Sequence, residues 1–127
     1  MQKFVATKLF LIVVFSIFGC DTGHNNGELS SQYQSFDSTI AMSVIKFNHG
    51  ATVPYVYRVY IHSKNVDPLN IDSDLDVLRI DSNEGLKIAW QNNDSVSISC
   101  VKGSIYKFTS IGQVGDQRIR INMNTNC

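Results

Sequence analysis

The chain has 127 residues, 43% of them hydrophobic, with eleven basic and eleven acidic side chains in balance. That length gives one domain rather than two, and a near-neutral charge gives no electrostatic reason to expect nucleic acid, whose binding needs a concentrated basic patch. Two prolines among abundant Asn, Ser and Asp suit a β-rich protein with many tight turns.

Lys3 and Lys8 precede an apolar run from Leu9 to Phe18. A bilayer-spanning helix needs roughly 20 apolar residues, so a run of about ten has the length of a signal-peptide core. The run ends in Ile17-Phe18-Gly19-Cys20. This resembles the lipobox of bacterial lipoproteins: an aliphatic residue three before the cysteine, a small residue just before it, then the cysteine. Phe18 departs from that pattern, which more commonly has a smaller residue there. The resemblance implies a signal peptide over residues 1–19, cleaved after Gly19, with the Cys20 thiol joined to diacylglycerol through a thioether. Each buried methylene contributes about 0.8 kcal/mol, and two or more acyl chains hold a protein on a membrane far better than one. The expected place is therefore the cell membrane, lipid-anchored, with the domain facing the periplasm or exterior. Asp21 after the cysteine resembles the signal that retains enteric lipoproteins in the inner membrane. Without residues 1–19 the net charge is near −2, nine basic side chains against eleven acidic.

Asp21 to Ser35 carries almost no apolar residues and no clean period, so residues 20–35 are expected to be a flexible tether carrying the lipidated cysteine. His24 falls in it as a solvated residue. From Phe36 to Cys127 short strand-like runs alternate with turn clusters. Thr39 to Asn48 is the first strand, and His49-Gly50-Ala51-Thr52 turns the chain. Pro54 to Ser63 is the clearest strand, with Tyr55, Tyr57, Val59 and Ile61 on one face and Val56, Arg58, Tyr60 and His62 on the other. Leu75 to Asp81 follows, then a turn at Ser82 to Gly85. Leu86–Gln91 and Ser95–Val101 alternate cleanly around Asn92-Asn93-Asp94 and predict a hairpin. Ile105 to Thr109 and Arg118 to Asn124 complete the set. No long 3.6-residue period occurs. The expected fold is mainly β, a small antiparallel sandwich or partly closed barrel of six to seven strands.

With Cys20 taken by lipid, Cys100 and Cys127 remain, an even number suited to an oxidising compartment. A disulfide between them would close a loop of about 28 residues, which chain entropy values at about 3.5 kcal/mol. It would also pin the C-terminal strand. The alternative is a buried free Cys100 and an unpaired Cys127.

Asp72-Ser73-Asp74-Leu75-Asp76 spaces carboxylates as the start of a calcium loop does. Val77 stands where that loop needs glycine and Asn83 where it needs a bidentate Glu, so no metal is expected. His49 and His62 lack zinc-ligand spacing. Nothing local pairs Cys100 with a histidine as a nucleophile, and no GxSxG, P-loop or GxGxxG pattern occurs; no enzyme and no cofactor are expected. Tyr55, Tyr57 and Tyr60 with Arg58 form the one candidate contact surface, since tyrosine and arginine combine area with hydrogen bonding.

The stretches Ile45 to Thr52, Tyr57 to Ile61 and Gly85 to Trp90 resemble a group of uncharacterised small bacterial lipoproteins, departing at His49 where those proteins commonly place cysteine. The resemblance carries no activity. The expected function is a non-enzymatic envelope lipoprotein whose β domain binds a periplasmic or secreted protein partner, as an inhibitor or immunity-type protein would. Lipoprotein inhibitors of lysozyme have this size, but their Ser-Gly-rich inhibitory loop has no counterpart here. The alternatives are a structural or assembly accessory of the envelope and, third, a small hydrolase.

Overall fold

A computed structural model of the chain describes residues 27–49 and 55–127. The expected signal peptide, Cys20, Asp21, His24 and the segment 50–54, with Pro54 and most of the first predicted turn, lie outside the described residues. Among those described, nine strands form two sheets. Sheet A has the order β1 (Gly27–Gln34), β2 (Ile40–Phe47), β3 (Val56–Ser63), β4 (Leu78–Ile80) and β7 (Ile105–Phe108), antiparallel throughout. Sheet B has the order β5 (Lys87–Asn92), β6 (Ser95–Ser99), β9 (Gln117–Met123) and β8 (Ile111–Val114). Its β6–β9 pair is parallel. The two sheets pack as a sandwich and no barrel closes.

The core between the sheets follows from period-two alternation. Ile40, Met42 and Val44 of β2, Val59 of β3 and Leu78 and Ile80 of β4 meet Ile88 of β5, Val96 and Ile98 of β6 and Ile119 and Ile121 of β9, all buried. Trp90 ties the sheets together with a polar contact, its Nε1 donating to the Tyr33 carbonyl at 3.0 Å. The predicted hairpin is present, with Ile88 opposite Ile98 and Trp90 opposite Val96.

Sheet A is also covered on its outer face. Ile45, Phe47 and Tyr60 form a second cluster there, under Leu69 and Ile71 of the β3–β4 connection. This explains why β2 is apolar almost continuously instead of alternating, as a strand buried on both faces must be. The connection lies down through two short 3-10 turns, Pro68–Asn70 and Ser73–Leu75, whose first amides are capped by Asp67 and Asp72.

Three features differ from the sequence expectation. The stretch expected as a tether is, from Gly27, strand β1. Its side chains bury little, but a ladder to β2, irregular at Ser30, pairs its inner edge, Tyr33 packs on the core, and Gly27 lies against Ile45 and Phe47. A polar edge strand of this kind resists unwanted edge pairing. Strand β8 was also not foreseen; with Gly112 and Gln113 in four residues it shows no pattern of its own. Together these raise the strand count to nine. The strand expected over Leu75–Asp81 shrinks to Leu78–Ile80, because Asp72 caps a 3-10 turn that takes Leu75 out of line.

Candidate binding groove and its charged wall

The outer face of sheet A carries a row of cations set by strand register. Arg58 of β3 is opposite Arg79 of β4, and Arg79 is opposite Lys107 of β7. All three converge on Asp76, whose side chain has no exposed surface. Arg79 Nε donates to Oδ2 at 2.9 Å, Lys107 Nζ to Oδ1 at 2.9 Å, and Arg58 Nη1 reaches Oδ2 at 3.4 Å. Arg58 Nη1 and Lys107 Nζ also donate to the Ser73 and Asp74 carbonyls at 2.9 and 2.8 Å, so the cations hold the connection's backbone as well. Burial alone would raise the Asp76 carboxyl, but hydrogen bonds and charge from Arg79 and Lys107 outweigh it and hold the group below the usual carboxylate range. Beside this cluster, burial pushes the Tyr60 phenol up to about 12, against the opposing charge of Arg58.

Next to it, Ser43 Oγ lies 2.6 Å from His62 Nε2, and both residues are buried. His62 Nδ1 donates to the Ser63 carbonyl at 2.8 Å, and Gln32 Nε2 donates to Ser43 Oγ at 2.9 Å. Among the described residues no carboxylate bonds the histidine ring; Gln32, Ser43 and His62 link β1, β2 and β3.

Beyond the charged cluster, an open groove of about 540 Å³ lies between the end of β3, the connection over residues 66–77, and β8. Its rim is aliphatic and exposed: Val66, Leu75 and Ile111 are 44%, 64% and 43% accessible. Its floor includes Ile61 and Gly112. A Cβ on Gly112 would stand 2.6 Å from Ile61 Cγ2, so glycine lets β8 pass this close to β3. Single exposed hydrophobes are ordinary; here three lie around one concavity.

The four residues expected as a contact surface are not brought together. Tyr57 packs on the core between the sheets, Tyr60 is 1% exposed in the outer cluster, and Arg58 is held by Asp76 and Ser73. Tyr55 alone is well exposed, with Lys46 Nζ 4.0 Å from its ring centre. Alternation along one strand divides consecutive aromatics between two faces, and in this sandwich both faces of β3 are covered. The acidic run also separates: Asp72 caps a turn and Asp76 is a buried anchor.

Cys100 and Cys127 stand at disulfide distance, with Cα atoms 4.6 Å apart. The Cys100 amide donates to the Asn126 carbonyl at 3.1 Å, and Cys100 adopts φ +60°, a turn that directs the chain off the end of β6. Among the described residues no group of three or more potential metal ligands is assembled, and no helix is long and apolar enough to cross a membrane.

The groove residues and Asp76 were missed from sequence. The available signal was weak: Val66 and Leu75 are two of five aliphatics in the connection, and the sequence does not separate them from Leu69, Ile71 and Val77, which pack on the fold. Comparison of the chain with models of protein families, with curated proteins and with solved structures finds no match.

Proposed function

We propose that this chain is a bacterial envelope lipoprotein, anchored by acylated Cys20, whose non-enzymatic β sandwich binds a protein partner through the groove between β3 and β8. The observation that carries the binding reading is the exposed aliphatic rim of Val66, Leu75 and Ile111 around that groove. Compartment and anchoring rest on the Ile17-Phe18-Gly19-Cys20 sequence after its short apolar run. The approach of Cys100 and Cys127 supports an oxidising location. An inhibitor or immunity-type role fits a small domain with one apolar docking site, and Asp21 favours the inner membrane. Ser43 and His62 are buried, and their side-chain polar atoms are spent on each other, on Gln32 and on the Ser63 carbonyl, which favours a binder over a hydrolase.

The test is capture from envelope extract with tagged protein, comparing wild type with a Val66→Thr, Leu75→Gln, Ile111→Thr variant. These positions are exposed, so melting temperature should stay close to wild type. A single stoichiometric partner, lost with the variant, supports the proposal. Broad co-purification with an assembly machine that the variant leaves unchanged overturns it in favour of an accessory role.

A further inference from the structure

Past Val59 the third strand loses its neighbour. β4 pairs with β3 only at Tyr57, Arg58 and Val59, and the contact ends where Val77 N–H donates to the Val59 carbonyl at 2.8 Å. The chain before Val77 turns away across the outer face. On the other side, Lys64 N–H donates to the Thr39 carbonyl at 3.0 Å. This fixes the alternation of the β2–β3 ladder: His62 and Tyr60 bond to β2, while Ile61, opposite Met42, directs its N–H and C=O away from it. Those groups face the groove.

The facing wall has the same character. β8 is an edge of sheet B, bonded only to β9. Ile121 N–H donates to the Ser110 carbonyl at 2.8 Å, so Ser110, Gly112 and Val114 bond to β9, and Ile111 and Gln113 direct their backbone groups outward. Among the described residues, the strand ladders pair Ile61 with β2 alone and Ile111 and Gln113 with β9 alone, so these outward groups lie on unpaired edges. The seam of the sandwich therefore has an unpaired strand edge on each side and aliphatic side chains at its rim.

This combination selects the occupant. An acyl chain would cover the aliphatic rim but leave amides and carbonyls of both edges unmet, at a cost in a drying groove. An extended peptide supplies donors and acceptors along its edges and side chains at period two. We propose that the groove takes an extended segment of a partner protein, added as a strand beside Ile61 and along β8 in line with β4. Alternate apolar side chains of that segment rest on Val66, Leu75 and Ile111. This rests on the assignment of the groove as the partner site and adds the form in which the partner is read: backbone first, with one apolar face.

The experiment uses isotope-labelled protein and three probes: a short synthetic peptide of alternating valine and threonine with terminal lysines, the same peptide N-methylated at alternate amides, and decanoate. With the plain peptide, amide exchange at Ile61, Ile111 and Gln113 should slow, and N-methylation should weaken binding roughly tenfold or more through lost hydrogen bonds. Equal binding of both peptides, binding of decanoate alone, or no slowing at these three amides overturns the proposal. Rim-dependent capture of a partner, together with indifference to N-methylation, would remove strand addition while leaving the groove as a partner site. Strand addition of the peptide without any envelope partner would do the reverse.

Discussion

Asp76 meets three cations from three strands while its own side chain is out of solvent. Removing its charge leaves Arg58, Arg79 and Lys107 facing one another around a neutral group, and loss of one partner of a buried ion pair costs about 3 kcal/mol or more. Asp76→Asn should therefore lower unfolding free energy by about 3 kcal/mol in urea at neutral pH. The sign with pH follows from the depressed carboxyl. A group with a folded pKa below its unfolded value contributes stability above the ordinary carboxylate range and loses it as pH falls through its folded value. The gap between wild type and Asp76→Asn should thus persist down to about pH 4 and close below it, as wild-type Asp76 is protonated too; a constant gap down to pH 2 would contradict the assignment. Tyr60 gives a second check, since its phenol is pushed up to about 12 by burial. Ultraviolet titration should show one tyrosine ionising last, missing in Tyr60→Phe. None of this could be read from Asp72-Ser73-Asp74-Leu75-Asp76, where three carboxylates look alike. Which one turns inward depends on Arg58, Arg79 and Lys107, and those become neighbours only through strand register.

At the scale of elements, β5 and β6 were legible because Ile88, Trp90, Val96 and Ile98 alternate with polar residues across an obvious turn, a pattern local to the hairpin. β1 was not, because its stability comes from hydrogen bonds to β2 that no side chain announces. β8 was not, for the reason that also matters most to the site: it is short and holds Gly112. Placing a methyl there would drive it into Ile61 Cγ2 at 2.6 Å, a β-branched atom with little freedom to yield. Gly112→Ala should cost about 1–3 kcal/mol by overpacking and weaken partner capture by displacing β8. The other element-scale prediction concerns the end of β9. The sequence separation of Cys100 and Cys127 is 27, and opening a loop of that size should cost about 3.5 kcal/mol. Reductant should produce this loss in wild type and none in a Cys100→Ala, Cys127→Ser variant, measured by urea unfolding.

For the whole molecule, the fold class was readable and the groove was not. Period-two patterning, polar turns and the absence of a helical period led directly to two sheets around one core. The expected surface at Tyr55, Tyr57, Arg58 and Tyr60 is not assembled on one exposed face, because a sequence shows which residues share a strand face but not that sheet A is covered on both. The connection over residues 64–77 hides one face and, in turning away, leaves the seam that forms the groove. The proposed anchoring has its own prediction. Wild type should carry an acyl mass on the peptide that begins at Cys20, found by mass spectrometry, and Cys20→Ser should lose it and move from the membrane fraction to the soluble one.

The parallel pairing of β9 with β6 has a consequence for how such a molecule comes into being. β9 sits between β6 and β8, in the middle of sheet B, though it follows both in the chain. Until Gln117–Met123 arrives, β8 has no strand to pair with and sheet B is only the two-stranded β5–β6 hairpin on the face of sheet A. Vectorial emergence therefore leaves the completion of sheet B to the last strand, and a chain halted before Gln117 should lack the stable, cooperative unfolding of the full-length protein.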